Sequence, residues 1–254
     1  MDFPARSLFF AKIAQLAYED KKTVTNEAKA LGFTTIEFYN LDGAQAYRLM
    51  NKDDIVIACR GTQPEEFNDI KADLGAAPVL AETVGRVHMG FKKEVDELWP
   101  MVKEDLIRIG KTRKGWFCGH SLGAGMATIM ASRCQEDHAV PNIEELYTYG
   151  SPRVGWRAFV DNLTVTHHRW VNNNDIVTRV PLTIMGYVHD GEEHYLNAFG
   201  NVRQMTKWQR AKDRWRGLVM GFKKGDIDSF SDHSMVNYVA YLETYAKGME
   251  SIQN

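Results

Sequence analysis

The sequence predicts an α/β protein with a mostly parallel central sheet that helices cover on both faces. Strand-like and helix-like segments alternate along most of the 254 residues, an order that is typical of parallel strands joined by helices. The first three strand-like runs follow one another without a helix, which favours antiparallel strands at one edge of the sheet. A glycine-rich turn also stands between a buried strand and a small-residue helix.

The predicted elements follow in order from the amino end. Apolar residues recur at helical spacing within the first twenty positions, so we expect an amphipathic helix there. A helix after the third strand contains Pro100, which predicts a kink or a break. The other predicted ranges are strands at 33–40, 44–50, 54–60, 145–150, 166–171 and 184–189, and helices at 90–111, about 203–222 and 233–249.

Composition and charge are those of an ordinary globular enzyme. The net charge is −2, which gives no reason to expect a nucleic-acid partner. Cys59 and Cys118 fall in predicted central strands, and Cys134 ends a helix. We interpret all three as small buried side chains, in preference to a disulfide framework or a metal site.

The first twenty residues do not resemble a secretory leader. They lack a basic segment before an apolar block, and Lys12 interrupts their apolar run. The chain also has no run of eighteen apolar residues that would span a membrane. We therefore expect a cytoplasmic protein, with leaderless export left open.

The pentapeptide Gly119–Gly123, GHSLG, has the G-x-S-x-G pattern. The apolar run KGWFC comes directly before the pentapeptide and is typical of a buried strand. The small-residue run LGAGMATIMASRCQ begins with its last two residues and is typical of a packed helix. The sequence therefore predicts that a strand turns sharply into a helix here. Such a turn strains its central residue and exposes the hydroxyl, and flanking glycines give it room. The pattern indicates Ser121 as a catalytic nucleophile. The alternative is a glycine-rich turn with an incidental serine.

A nucleophilic serine needs a base, and the base needs an acid to orient it. Asp175 follows an apolar run in an Asn-rich loop, where a strand end presents side chains to a site, although turn capping is the alternative. His233, just before the last helix, is the favoured base. His189 is the alternative base, and His194 is the least favoured of the three. Asp232 is a weak candidate for the acid, because adjacent side chains point apart.

An ester hydrolase also needs backbone donors for the oxyanion. Leu122, the residue after the serine, is expected to supply one of them. The other is expected after the strand in DIVIACRGTQ, where Gly61 lets the chain turn and Thr62 offers its amide and hydroxyl. An ordinary strand followed by a turn is the alternative.

Several segments, taken together, resemble one family, the class 3 (fungal-type) lipases of the α/β-hydrolase fold. The segments occur in the family's order over about residues 55–240, which makes the joint match far more specific than the pentapeptide. They are CRGT with the following NDIKADL, VHMGF, GHSLGAG, TYGSPRVG, NNNDIVTRVP, GYVHDGEE and DHSMVNY.

The resemblance implies a single α/β-hydrolase domain over residues 1–254 and a serine hydrolase that acts on lipid esters, as a triacylglycerol lipase or esterase. It implies no metal, no organic cofactor and no obligatory protein partner. Two alternatives stay open: a phospholipase A-type acyl hydrolase, and a lipid-binding module without turnover.

The resemblance also implies residue roles. It makes His189 a structural or supporting residue, and it makes Ser151 structural despite its neighbouring glycine. The implied site consists of Ser121 as nucleophile, Asp175 as acid, His233 as base, and Thr62 and Leu122 as the oxyanion hole.

A short lid helix is implied after the oxyanion strand, from about Pro64 to Asp73, with Phe67 and Ile70 on its inner face. Two departures from the family pattern stand out. Thr178 occupies a position where proline is common, which we expect to loosen the acid loop. The leader and disulfides of the secreted fungal members are missing, so their localisation does not carry over.

Residues 203–224 carry eight basic residues against one acid, Asp213, and their tryptophans Trp208 and Trp215 recur at helical spacing. A basic helix with aromatic residues suits a lipid interface. We interpret the tryptophan stripe as packing on the sheet, with the basic face in solvent, and leave transient contact with a lipid interface open. The basic residues are Arg203, Lys207, Arg210, Lys212, Arg214, Arg216, Lys223 and Lys224.

Overall fold

Helices alternate with strands through most of the protein, as the sequence predicts. The computed structural model describes residues 1–61, 77–141, 143–206, 208–213, 215 and 231–253. The strands are β1 Thr35–Leu41, β2 Ala44–Met50, β3 Asp54–Cys59, β4 Pro78–Leu80, β5 Arg86–His88, β6 Lys114–His120, β7 Ile143–Tyr149, β8 Gly155–Trp156, β9 Thr166–Asn172, β10 Tyr187–Val188 and β11 Glu192–Leu196. The helices are α1 Phe3–Leu16, α2 Lys21–Ala30, α3 Met89–Ile109, α4 Leu122–Glu136, α5 Arg157–Asn162 and α6 Met235–Gln253.

The main sheet has seven strands in the order β1-β2-β3-β6-β7-β9-β11. The leading strands β1, β2 and β3 pair antiparallel, and the pairs from β3 to β11 are parallel. This confirms a mostly parallel sheet with antiparallel strands at one edge. A second sheet, in the order β10-β8-β5-β4, is antiparallel and was not predicted.

Both faces of the main sheet are buried. On β3, Ile55 and Ile57 face the core formed with α3 and α4. The alternating Val56 and Ala58 face the core formed with α1, α2 and α6. Alternate side chains of a strand point to opposite faces, which explains why this strand is apolar throughout.

Two of the predicted elements differ from the structure. The range 184–189 is not a strand of the main sheet: a 3₁₀ turn at Thr183–Met185 leads into the two-residue β10 of the small sheet. Gly186 has φ 87°, so the backbone cannot stay extended through that run. The edge strand is β11, which the sequence analysis missed because its polar residues hide the apolar pattern.

The predicted break at Pro100 is also absent, since α3 continues through it. Proline removes one helical hydrogen bond, but buried residues on both sides, including Val95 and Val102, hold the two halves against the sheet. The packing therefore offsets the loss of one hydrogen bond.

The tryptophan stripe does not pack on the sheet, contrary to our interpretation. Trp208 and Trp215 are 71% and 68% exposed. The helical turn at 208–213 instead buries Asp213, which accepts hydrogen bonds from the Tyr195 hydroxyl and the Ala198 amide at 3.1 Å each. The acid therefore faces inward and the aromatic rings face solvent. Outside the described residues lie Lys207, Arg214 and 216–230.

The three cysteines are buried free thiols, as expected. Burial raises the pKa of Cys59, Cys118 and Cys134, so each behaves as a small apolar side chain. In the part of the chain that the structure describes, no helix has the length and apolar content needed to cross a membrane.

Candidate active site

Ser121 stands at a strained turn between β6 and α4. Its φ of 59° and ψ of −130° are unusual for a residue with a side chain, and such a backbone costs about 1–3 kcal/mol. Two hydrogen bonds hold it: its amide donates to the Tyr149 carbonyl at 3.1 Å, and its own carbonyl accepts from the Ala124 amide at 3.0 Å. The predicted strain is confirmed, whereas the predicted exposure of the hydroxyl is wrong, because Ser121 is buried.

Glycine at position 123 lets the chain after β3 approach this turn. A Cβ on Gly123 would lie 2.3 Å from the Cys59 carbonyl oxygen and 2.8 Å from the Gly61 nitrogen. Any side chain would push the two segments apart. The end of β3 therefore lies directly against the first turn of α4, where the oxyanion donors are expected.

The structure describes only part of the expected oxyanion hole. Leu122 is the first residue of α4, so its amide is among the first four that find no acceptor within the helix. The described chain reaches Gly61 on the other side. The second expected donor and the lid lie outside the described residues: Thr62, Pro64, Phe67, Ile70 and Asp73.

The expected acid and base are in direct contact. His233 Nδ1 lies 3.0 Å from Asp175 Oδ1 and 2.9 Å from Oδ2. The carboxylate is fully buried and the histidine is 5% exposed. With Nδ1–H donated to the carboxylate, a neutral imidazole carries its lone pair on Nε2, the atom that a general base uses.

Two further groups orient the Asp175 carboxylate. The Val177 amide donates to Oδ1 at 2.9 Å and the Tyr238 hydroxyl donates to Oδ2 at 2.7 Å. Burial raises the pKa of Tyr238, so this hydroxyl keeps its proton. It also accepts a hydrogen bond from the Asn172 amide at 2.9 Å. The carboxylate thus has a fixed orientation toward the imidazole.

The Ser121 turn and the Asp175–His233 pair lie at the same edge of the sheet because their strands are near neighbours. Ser121 follows β6 and Asp175 follows β9, with β7 between them. Gly150, directly after β7, has φ 58°, and a Cβ there would lie 2.7 Å from both Asp175 Oδ2 and His233 Nδ1. The carboxyl ends of adjacent parallel strands therefore form this site, as is general for open α/β sheets.

His120 links the serine turn to the base. Its ring lies against that of His233, with centroids 4.3 Å apart, and its Nε2–H donates to the His233 carbonyl at 2.7 Å. Its Nδ1 accepts from the Tyr18 hydroxyl at 2.8 Å, which in turn accepts from the Gly61 amide. Burial lowers the pKa of His120 well below its usual value, so the ring stays neutral. One chain of hydrogen bonds thus joins the two loops to the turn that follows α1.

Sequence reasoning missed three of these residues. Tyr18 lies in the turn after α1, Tyr238 on α6 and Gly150 directly after β7. The last two lie in the family-like segments DHSMVNY and TYGSPRVG. No local pattern marks them, because their contacts involve residues that are far apart in the sequence.

Asp232 does not orient the base, in agreement with the preference for Asp175. Its carboxylate accepts from the Asn174 amide at 3.3 Å, and its carbonyl accepts from the Asn172 side chain at 2.8 Å. Burial raises the pKa of Asp232. This residue therefore ties the histidine loop to the acid loop.

The rival histidine and serine have other partners. His189 Nε2 donates to the Thr178 carbonyl at 2.7 Å, and the Thr178 hydroxyl donates to the Asp175 carbonyl at 2.8 Å. Thr178 therefore provides a hydrogen bond within the acid loop. The Ser151 hydroxyl donates to the neighbouring Pro152 carbonyl at 3.0 Å.

A family model described as "Lipase (class 3)" matches residues 56–185, just over half of the chain. The chain belongs to the class 3 lipase family. The α/β fold described above agrees with that of the family. The matched range contains Ser121 and Asp175, whereas His233 follows it.

The chain is also similar to individual proteins. The solved structure of the Rhizomucor miehei triacylglyceride lipase superposes with a TM-score of 0.64 at 25% identity, over 76% of this chain and 80% of that one. Toxin TseL of Vibrio cholerae is 28% identical over 239 residues, 74% of this chain and 37% of TseL. A secreted mono- and diacylglycerol lipase of Fusarium solani is 36% identical over 118 residues, 44% of this chain and 34% of that lipase. This class 3 lipase chain thus spans little more than a third of the length of the last two relatives.

Proposed function

We propose that this class 3 lipase hydrolyses the carboxylic esters of lipids through an acyl-enzyme intermediate. Ser121 is the nucleophile, His233 the general base and Asp175 the acid that orients the base. The observation that carries the proposal is the buried Asp175–His233 pair, which lies beside the strained Ser121 turn. The names of the relatives make acylglycerols the first substrates to test.

The acylation step follows from the proposed roles. His233 Nε2 takes the proton of the Ser121 hydroxyl as its oxygen attacks the ester carbonyl. The Leu122 and Thr62 amides stabilise the resulting oxyanion, and each such donor contributes about 10²–10³-fold to the rate. The intermediate collapses when His233 returns the proton to the leaving alcohol, which leaves the acyl group on the serine.

Deacylation repeats these steps with water as the nucleophile. His233 removes a proton from water, the hydroxide attacks the acyl-enzyme, and the carboxylic acid leaves as the serine oxygen regains its proton. Asp175 stabilises the imidazolium that forms twice per cycle. All proton transfers use groups of this chain and water.

An activity-based fluorophosphonate probe tests the nucleophile. Ser121 and Ser151 are both 1% exposed and each follows a strand of the main sheet, so they form a matched pair. We expect Ser121→Ala to lose labelling and Ser151→Ala to keep it. Equal labelling of the two variants would refute the assignment.

Turnover separates the enzyme from a lipid-binding module with the same fold. A class 3 lipase with the proposed roles releases p-nitrophenol from p-nitrophenyl butyrate, and Ser121→Ala abolishes the release. A binding module shows no release that depends on Ser121.

Membrane phospholipids are a second candidate substrate class. The specific observation is the outward face of the turn at 208–213, where Lys212 lies 5.0 Å from the centre of the exposed Trp208 ring. Trp215 is also exposed and follows at helical spacing. Exposed tryptophan with a cation suits the boundary between anionic headgroups and acyl chains.

Comparison of two substrates tests this candidate. The double variant Trp208→Ala/Trp215→Ala should hydrolyse anionic phospholipid vesicles at least about tenfold more slowly, because one large apolar side chain withdrawn from water is worth about 1.5–3 kcal/mol. Its rate on soluble p-nitrophenyl butyrate should not change. Ile184→Ala, at a residue that is 90% exposed, is the matched control. Unchanged vesicle hydrolysis in the double variant would remove the second candidate.

A further inference from the structure

Three potential metal ligands meet at the edge of the main sheet, away from the serine site. His168 lies on β9, and Glu192 and His194 lie on the neighbouring β11. One ligand atom from each residue lies within 4.8 Å of those of the other two. His168 is four residues before the end of β9, or about 13 Å at the usual rise per residue. The cluster is therefore distinct from the site at the carboxyl ends of the strands.

The two imidazoles already have the separation that a shared cation requires. His168 Nδ1 and His194 Nε2 are 3.1 Å apart. In a tetrahedral zinc site with bonds of about 2.0–2.1 Å, neighbouring ligand atoms are about 3.3–3.4 Å apart. Without a cation, a single proton lies between the two nitrogens, and a cation would take its place with little movement of either ring.

Aromatic side chains fix both rings. The Phe3 ring centre lies 4.9 Å from each imidazole, and the Trp170 ring centre lies 4.9 Å from that of His194. His168 is buried and His194 is half-buried, and a neutral imidazole offers one nitrogen lone pair to a cation. Glu192 is exposed and provides both a negative charge and access from solvent.

A further carboxylate lies behind the first histidine. Glu145 Oε2 is 3.8 Å from His168 Nε2, while its Oε1 pairs with Arg6 at 3.1 Å. This distance is too long for a hydrogen bond, so Glu145 lies near the ring without holding it. The cluster thus has ligands and a route for entry.

We propose that His168, His194 and Glu192 bind one Zn²⁺ between β9 and β11, with water as the fourth ligand. Two imidazoles and one carboxylate are ligands that suit this ion. The site would fasten the edge strand β11, from which the Leu196 carbonyl accepts the Asn173 amide of the acid loop at 2.9 Å. The ion takes no part in ester hydrolysis.

Calorimetric titration of the untagged, metal-free protein with ZnCl₂ tests the proposal. We expect one Zn²⁺ per chain, and at least about tenfold weaker binding in Glu192→Gln and His194→Ala, since even loss of an outer partner weakens metal binding by that factor. Glu144→Gln, at another exposed strand glutamate, and His138→Ala, at an exposed histidine, are the matched controls and should bind as the unmodified protein does. Ser121→Ala should also bind normally.

Thermal unfolding gives an independent readout. Zn²⁺ should raise the midpoint of the unmodified protein and not that of Glu192→Gln, whereas Mg²⁺, which prefers oxygen ligands, should have no effect. Absence of saturable binding, or equal affinity in Glu192→Gln and Glu144→Gln, would overturn the proposal. If His194→Ala does not fold, comparison of Glu192→Gln with Glu144→Gln still tests the proposal.

Discussion

Substitution of Gly150 by alanine should disable the site without removing any proposed catalytic group. The added Cβ would lie 2.7 Å from Asp175 Oδ2, 2.7 Å from His233 Nδ1 and 2.8 Å from His233 Cε1. Ordinary van der Waals contact begins at 3.4 Å. The new methyl group must therefore push the acid and the base away from the end of β7, or apart.

The size of the effect follows from these distances. Relief of the overlap requires movement of about 0.7 Å, and misplacement of reacting groups by about 1 Å can cost about 10²-fold in rate. We therefore expect kcat/KM to fall about 10²-fold, equivalent to about 2.7 kcal/mol in the barrier. Gly150 also has φ 58°, a left-handed conformation that alanine adopts at a cost. Alanine should therefore lower the free energy of unfolding by about 1–2 kcal/mol.

Hydrolysis of p-nitrophenyl butyrate and urea unfolding measure the two effects. Gly248→Ala is the matched control, because nothing lies within 4 Å of the added Cβ and alanine stabilises a helix by about 1 kcal/mol relative to glycine. It should keep full activity. If folded Gly150→Ala retains kcat/KM within about threefold of the unmodified enzyme, the inferred crowding of the acid–base pair is wrong.

Three further substitutions test the surroundings of the site. Tyr238→Phe removes a donor to Asp175 and leaves a buried amide unpaired, so the free energy of unfolding should fall by about 2–4 kcal/mol in urea titrations; a loss near zero would contradict this. Tyr18→Phe removes the hydrogen bond to His120 and should lower kcat about fivefold, for about 1 kcal/mol, whereas an effect on KM alone would argue against a positioning role. Burial lowers the pKa of His189 from 6.5 to about 3, so its neutral form contributes stability that is fully present above pH 6.5 and is lost as the pH falls toward 3, by at most about 1.4 kcal/mol per unit. His189→Gln should therefore lose less stability than the unmodified protein between pH 6.5 and 5, and equal slopes would refute this.

Elements with a strong local pattern were predicted well. The predicted strand at 44–50 coincides with β2, and the strand, turn and helix around Ser121 have the expected order. A strand buried on both faces is a continuous apolar run, and a sharp turn needs glycine, so both leave a mark in the sequence. The preference for Asp175 and His233 has a related basis, since Asp175 follows a recognisable strand and His233 comes just before a recognisable helix.

Elements that depend on distant partners were not predictable in this way. The turn at 208–213 points Trp208 outward because Asp213 finds donors on Tyr195 and Ala198, and the periodicity of the sequence does not reveal those donors. The edge strand β11 is held by its backbone pairing with β9 and does not bury every residue. It can therefore be polar, and its sequence lacks the apolar pattern of a central strand.

The sequence by itself determined the α/β class and the strained serine turn, because each depends on neighbouring residues, and it predicted the order of nucleophile, acid and base. Tertiary structure alone decided that Tyr238 and Gly150 lie against the acid–base pair and that Tyr18 bonds to His120. It also decided that two histidines on adjacent strands meet at 3.1 Å. The physical reason is that hydrogen bonding and close packing act over a few ångströms in space. Residues far apart in the chain come within that range only when the sheet has formed.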